Sequence, residues 1–273
     1  VNDDRGGQVR FLIAGAQKAG TSALFEYLRC VPALELPDVK EAHFFDDELK
    51  VDWSRPDYRP YHALFADERR LWGEATPIYV YWPNCIERIR RYNPAMRLIL
   101  LLRDPVERAW SHWKMEYAKR KETEPFAWCI RQGRDRVATG DPQAPGHHRV
   151  YSYVERGFYG RQLARLLAAF PREQLLLLHS DDLRRQPDAV VGRICGFLGV
   201  PGPAGPLVPR RVREAAEIAY PSSLADEDVA LLRGLYAADM KRLSQLGGPE
   251  LSAWLEGWGF CNGEATSESS DRT

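Results

Sequence analysis

A chain of 273 residues has room for one large α/β domain or two small ones, at about 150 residues per domain. Its 38 Lys+Arg balance 38 Asp+Glu, which argues against a general basic coat for nucleic acid, and arginine (31) far outnumbers lysine (7), a bias suited to forked recognition of phosphate or sulfate. The longest aliphatic run, Leu98–Leu102, is too short to span a membrane, and the five dispersed cysteines (Cys30, Cys85, Cys129, Cys195, Cys261) hold no CxxC, so no disulfide framework and no metal site is expected.

Residues 1–8 read as a loose polar tail. Val9–Ala14 is a buried strand, Gly15–Ser22 a small-residue loop and Ala23–Cys30 a helix, a strand–loop–helix opening. Pro32–Trp53 is mixed and contains an aromatic–acidic cluster, HFFDDE. Leu71–Glu74 is a short strand before a Thr76-Pro77 turn. Cys85–Tyr92 is helical, with Ile86 and Ile89 on one face. Arg97–Leu102 is a second buried strand, of the continuous apolar kind that suits a parallel sheet covered on both faces. Pro105 opens the next helix, which runs to about Lys119. Arg134–His148 reads as a surface loop, Gly157–Phe170 as an amphipathic helix and Leu175–His179 as a third buried strand. Pro187–Leu198 is a helix ended by Gly199, Pro201–Pro209 an irregular connector, Leu224–Leu246 a long helix and Leu251–Leu255 a short one. The polar residues 262–273 read as a second flexible tail. Strands alternating with helices predict an α/β chain: a single P-loop-like domain over residues 9–258, with a central, mostly parallel sheet flanked by helices.

Two segments carry chemistry. The first is the loop Gly15-Ala16-Gln17-Lys18-Ala19-Gly20-Thr21-Ser22. Small residues after a buried strand let backbone N–H groups face inward, and the following helix presents its positive end to an anion. A nucleotide-triphosphate loop, GxxxxGK[ST], would place lysine at position 21, where Thr21 stands; the lysine is three places earlier, at Lys18. The second segment is Arg103-Asp-Pro-Val-Glu-Arg-Ala-Trp-Ser111. Arg103 ends a strand, where ligands of open α/β sheets gather. Ser111 returns about two helical turns later to the same side. An arginine with a hydroxyl suits a second, separate phosphate.

Together these segments resemble the sulfotransferases that use 3′-phosphoadenosine 5′-phosphosulfate (PAPS), in the heparan-sulfate-type and bacterial branch. Lys40-Glu41-Ala42-His43-Phe44-Phe45-Asp46 is similar to that family's catalytic-glutamate motif, and Glu74-Ala75-Thr76-Pro77-Ile78-Tyr79 to its E-K-T-P-x-Y segment. Arg156-Gly157-Phe158-Tyr159, the LLLLHSDDL strand, the Phe197-Leu198-Gly199 turn and Tyr220-Pro221 follow in the family's order. The resemblance implies that Gln17, Lys18, Ala19, Gly20, Thr21 and Ser22 hold the 5′-phosphosulfate and that Arg103 and Ser111 hold the 3′-phosphate. It implies Glu41 as general base, with His43 two residues away as the rival, and Lys18 as the cation for the leaving phosphate. One of Arg210, Arg211 and Arg213 is left to cover the 3′-phosphate, the choice among them open; Arg213 and Tyr220 are carried as candidates. Adenosine 3′,5′-bisphosphate would be the product, and the acceptor a saccharide or small molecule.

The sequence departs from the family at Ala75, where relatives carry lysine, and in lacking a glycine turn before Tyr220-Pro221. It also lacks the paired cysteines near the end of the animal enzymes, which fits a cytoplasmic, bacterial protein without membrane or nucleic-acid partners. Glu74 stands as a candidate to orient Lys18 or the acceptor, and His147 and His148 as residues in reach of the acceptor. Trp53, Trp82 and Trp110 are candidates to line its cleft. Two other readings compete: a P-loop small-molecule kinase, and a non-catalytic binding protein on the same scaffold.

Overall fold

A computed structural model describes residues 7–139, 145–203, 205–207 and 218–259. Five strands, β1 (Phe11–Gly15), β2 (Leu34–Glu35), β3 (Leu71–Ala75), β4 (Arg97–Leu102) and β5 (Leu175–His179), form one sheet in the order β2-β3-β1-β4-β5. Every pairing is parallel. The expected "mostly parallel" sheet is therefore wholly parallel among the described residues. β2 is an addition: two residues inside the mixed 32–53 segment carry too little pattern to mark a strand. All five residues of β1 are buried, as a central strand covered on both faces requires.

Six helices of eight or more residues surround the sheet: α1 (Thr21–Arg29), α2 (Cys85–Tyr92), α3 (Pro105–Ala118), α4 (Tyr159–Ala169), α5 (Pro187–Leu198) and α6 (Asp226–Gly247). α1 packs against α5; α4 packs against α2 and α6, and α6 also reaches α3. The α4–α6 contact is close. A Cβ on Gly160 would lie 2.3 Å from the Asp239 carbonyl oxygen, so a side chain there would push the helices apart. Asp239 of α6 also caps α4, accepting from Gly160 N at 2.6 Å and Arg161 N at 2.9 Å. α5 ends at Gly199 (φ 69°) as expected.

The 134–148 segment is more regular than a loop. Its described part holds a 3₁₀ turn (Gln132–Arg134) and two short helices, Asp135–Ala138 and Pro145–Val150. Gln8 is held rather than loose: its Nε2 donates to the Tyr92 carbonyl at 2.9 Å, beside Val9 N on the Tyr92 hydroxyl at 2.9 Å. Arg210, Arg211, Arg213, Cys261 and the 262–273 tail lie outside the described residues. Among the described residues no helix is long and apolar enough to cross a membrane.

The chain leaves β1 toward β2 on one side, and β4 toward β5 on the other. The loops after β1 and β4 therefore diverge, and a crevice opens between them at the C-terminal ends of the strands. Both chemistry-bearing segments of the sequence end there.

Candidate active site

The loop after β1 turns sharply into α1. Lys18 (φ 72°) and Gly20 (φ 99°) are both left-handed, a conformation that costs a glycine little and other residues more. Gly20 is the N-cap of α1, and no side chain caps it. The N–H groups of the first helical turn have no partner within a helix. Here they belong to Thr21, Ser22 and Ala23, and these residues line a cleft of about 630 Å³. An uncapped helix start facing a cavity suits an anion. Gln17 is held from behind by Arg156, a buried guanidinium that also donates to Ser152 Oγ at 2.7 Å and to the His148 and Arg149 carbonyls at 3.0 Å. Arg156 thus fastens the loop to the 148–152 segment, a role its place in the RGFY motif did not disclose.

Arg103 leaves the end of β4 and crosses the crevice. Its Nη1 donates to the Lys18 carbonyl at 3.4 Å, while Nε and Nη2 fork onto Glu107 Oε2 at 3.0 and 2.8 Å. Asp104 caps α3 by accepting from Val106 N (2.9 Å) and Glu107 N (3.1 Å), with Pro105 in the first turn. The cap sets the helix phase that brings Ser111 onto the cleft wall with Arg103, followed by Met115 and Lys119 one and two turns on.

The opposite wall is the 40–46 segment. Glu41 N donates to the Ala75 carbonyl at 3.1 Å, His43 N to Thr76 Oγ1 at 3.4 Å and Phe44 N to the Tyr79 hydroxyl at 3.0 Å. Phe44 stacks on Tyr61 with centroids 4.7 Å apart, and Phe45 meets Tyr61 and Tyr79 edge-on. The two phenylalanines anchor the segment and leave Glu41 and His43 on the cleft. Their backbone is not extended: both residues are left-handed, φ 68° and 52°. They meet all the same, with His43 Nε2 3.4 Å from Glu41 Oε2.

A row of alternating charges results. Lys40 Nζ lies 2.6 Å from Glu41 Oε1, and His43 Nδ1 lies 2.9 Å from Asp46 Oδ2, whose carboxylate is also bound by Arg149. Burial would raise Glu41, but the His43 and Lys40 contacts outweigh it and hold its carboxyl at about 2. Burial would lower His43, but Asp46 and Glu41 outweigh it and lift the imidazole to about 9. At neutral pH Glu41 is therefore ionised and His43 protonated. Asp46, Arg149 and Lys40 were not singled out from sequence; the D of HFFDDE was the available signal for Asp46.

Other expectations are relocated. Glu74 is fully buried and is not among the cleft-lining residues. It accepts from Thr76 Oγ1 at 2.7 Å and Tyr61 Oη at 3.3 Å. Burial pushes its carboxyl up to about 7 against those hydrogen bonds. Since its ordinary value is 4.5, the folded state disfavours ionisation. The penalty is absent below pH 4.5, grows up to about 7 and stays constant above, at about 3 kcal/mol. Glu74→Gln is expected to gain stability relative to the parent between pH 5 and 8, read as a melting-temperature difference that widens with pH. A difference flat across that range would mean the carboxyl does not titrate there.

Trp82 is core, wholly buried, with its indole N–H on Glu48. Trp53 packs on Phe44 and Arg88, and Trp110 stacks on Trp113. None of the three lines the cleft. His148 bonds Tyr81 Oη at 2.9 Å and lines a different pocket, and His147 bonds the Arg136 carbonyl at 3.1 Å. Tyr220 packs beside Trp113 and Tyr117, and is not among the cleft-lining residues. Among the described residues no group of His, Cys, Asp and Glu is arranged to hold a metal.

A family model described as "Sulfotransferase domain" matches residues 8–215. The chain belongs to the sulfotransferase family. A relative, heparan sulfate glucosamine 3-O-sulfotransferase 6 of Homo sapiens, is 32% identical over 192 residues, covering 69% of this chain and 52% of that protein. The chain thus spans about half the length of the curated relatives it matches. The crystal structure of a sulfotransferase from Alicyclobacillus acidocaldarius superposes with a TM-score of 0.74 at 29% identity, over 91% of this chain and 99% of that one. The sulfotransferase domain from the curacin biosynthetic pathway shares the fold, with a TM-score of 0.50 at 15% identity over 88% of this chain and 98% of that one.

Proposed function

We propose that this sulfotransferase-family chain moves a sulfuryl group from PAPS to a hydroxyl or amine of a saccharide or small-molecule acceptor by in-line displacement. The observation that carries the reading is convergence: Gln17, Lys18 and Gly20 to Ser22 of the loop, the Arg103/Ser111 pair and Glu41 line one cleft, while Ala19 is buried behind it. The residues fit the donor, since an uncapped helix start with Lys18 and a separate Arg/Ser pair suit two phosphate groups on one nucleotide. When bound, PAPS supplies the sulfuryl group and a phosphate leaving group. The backbone N–H groups of the loop hold the 5′-side anion, Lys18 neutralises charge that develops there, and Arg103 with Ser111 holds the 3′-phosphate. Glu41 accepts the acceptor's proton. Arg213 remains a candidate for the nucleotide; Tyr220, packed beside Trp113 and Tyr117 outside the cleft lining, does not. The curated relatives' names support a saccharide acceptor, while Ala75, in place of the family's lysine, leaves smaller acceptors within reach.

Calorimetry tests the donor assignment. Adenosine 3′,5′-bisphosphate is expected to bind at least about tenfold more tightly than AMP, since one charge-assisted hydrogen bond contributes about 1.5–3 kcal/mol. Equal affinities would remove Arg103 and Ser111 from the nucleotide site. An acceptor screen with labelled PAPS, read by mass spectrometry for added SO₃, tests the reaction itself.

A further inference from the structure

Each oxygen of Glu41 has a cation beside it: Lys40 Nζ is 2.6 Å from Oε1 and His43 Nε2 3.4 Å from Oε2. Each carboxylate oxygen keeps a second lone pair that a hydroxyl can reach, but two adjacent cations suppress its basicity. Withdrawal of one of them would restore basicity to Glu41. His43 is not free to go. Its other ring nitrogen is bound to Asp46, a buried carboxylate itself clamped by Arg149. The Glu41 backbone is held too, at φ 68° with its N–H on the Ala75 carbonyl. Lys40 differs from both. Its ammonium rides on a flexible four-carbon stem, its hydrogen bond is to Glu41, and it lines the same cleft as Lys18, Arg103 and Lys119.

We propose that Lys40 is a positioning residue that latches Glu41 and transfers to the incoming phosphosulfate anion, so that Glu41 gains basicity when the donor binds. The inference rests on the donor assignment made above. The pair is part-exposed, so the latch is weak enough to be exchanged for a multiply charged anion. Once Lys40 has moved, the acceptor O–H bond breaks, a new O–H bond forms at Oε1, and the electron pair stays on the acceptor oxygen. Basicity thus appears where and when the donor does. The charged groups facing Glu41 are Lys40 and His43, with Asp46 and Arg149 behind His43, and Lys18, Arg103 and Lys119 around the cleft.

The chain has only seven lysines, so ¹⁵N spectra of the side-chain ammonium groups are tractable, and Lys40→Met assigns the Lys40 signal. Saturating PAPS, with no acceptor, is expected to shift that signal, and Glu41→Gln is expected to shift it without PAPS. A heat of PAPS binding with an unmoved Lys40 signal would overturn the latch while leaving the donor assignment intact; absence of PAPS binding would overturn that assignment instead. Kinetics add a second readout. Lys40→Met is expected to move the acid limb of the kcat/KM–pH profile upward by about one unit or more, because Glu41 in the free protein loses a cation. Lys40→Arg, which keeps the charge, is expected to leave the limb in place. A lower rate in Lys40→Met with an unmoved limb would mean a merely structural lysine.

Discussion

Glu41→Gln is expected to lower turnover by about 10²–10⁴-fold, the range a positioned general base contributes, while adenosine 3′,5′-bisphosphate binds nearly as before. A hydroxyl is a weak nucleophile at neutral pH and must lose its proton as the bond to sulfur forms. Glutamine keeps the shape and one hydrogen-bond acceptor of Glu41 but cannot hold that proton. The row of charges gives the substitution a sharp control. His43 is raised to about 9 by its two carboxylates, so at neutral pH it has no lone pair to offer. His43→Ala is therefore expected to act through Glu41, by removing a cation from Oε2, and to shift the pH profile as well as the rate. If His43→Ala abolished turnover while Glu41→Gln kept near-normal rates, the base would be His43. If Glu41→Gln changed turnover by less than about threefold, Glu41 would be no more than a partner of Lys40, since exposed ion pairs contribute only ~0–1 kcal/mol.

Much of the site was legible because its parts are local. The loop Gly15–Ser22 and the segment Arg103–Ser111 each place their groups within one turn or one helix, so spacing alone puts them on a common side. The strands β1, β4 and β5 were legible because a parallel strand covered on both faces is apolar on both, leaving a continuous run, even for β5 at the sheet edge. β2 was not, since at two residues it has no period. The groups that tune Glu41 were hidden for another reason. Arg149 reaches Asp46 across 103 residues, and Arg156 reaches Gln17 across 139, contacts that only the packed fold creates. Glu74 misled because the groups just after it, the Ala75 carbonyl and Thr76 Oγ1, hold Glu41 and His43, while its own side chain is buried with Thr76 and Tyr61 in a strand covered on both faces. The tryptophans misled because a large aromatic fills a core as readily as it lines a cleft.

Lys18→Ala is expected to reduce turnover by about 10²–10³-fold, the scale on which a single charge-stabilising donor acts, and to weaken PAPS binding by less. The reasoning lies in when charge appears. On the proposed donor assignment, the 5′-side phosphate is already an anion in the ground state and faces the first-turn N–H groups of α1, which the substitution leaves in place. As the bond to sulfur breaks, further negative charge collects on the departing oxygen, and only an interaction that strengthens at that moment speeds the step. A lysine ammonium, a compact point charge on a movable stem, is suited to follow it. The loop should survive the change. Alanine adopts the left-handed φ of position 18 at a cost close to that of lysine, and Arg103 contacts the backbone carbonyl of that residue rather than its side chain. Melting temperature and adenosine 3′,5′-bisphosphate affinity of the variant are therefore the controls, each expected to stay near the parent. If Lys18→Ala weakened PAPS binding yet left turnover at saturation intact, Lys18 would be a tether for the donor, and stabilisation of the leaving phosphate would fall to the helix start alone.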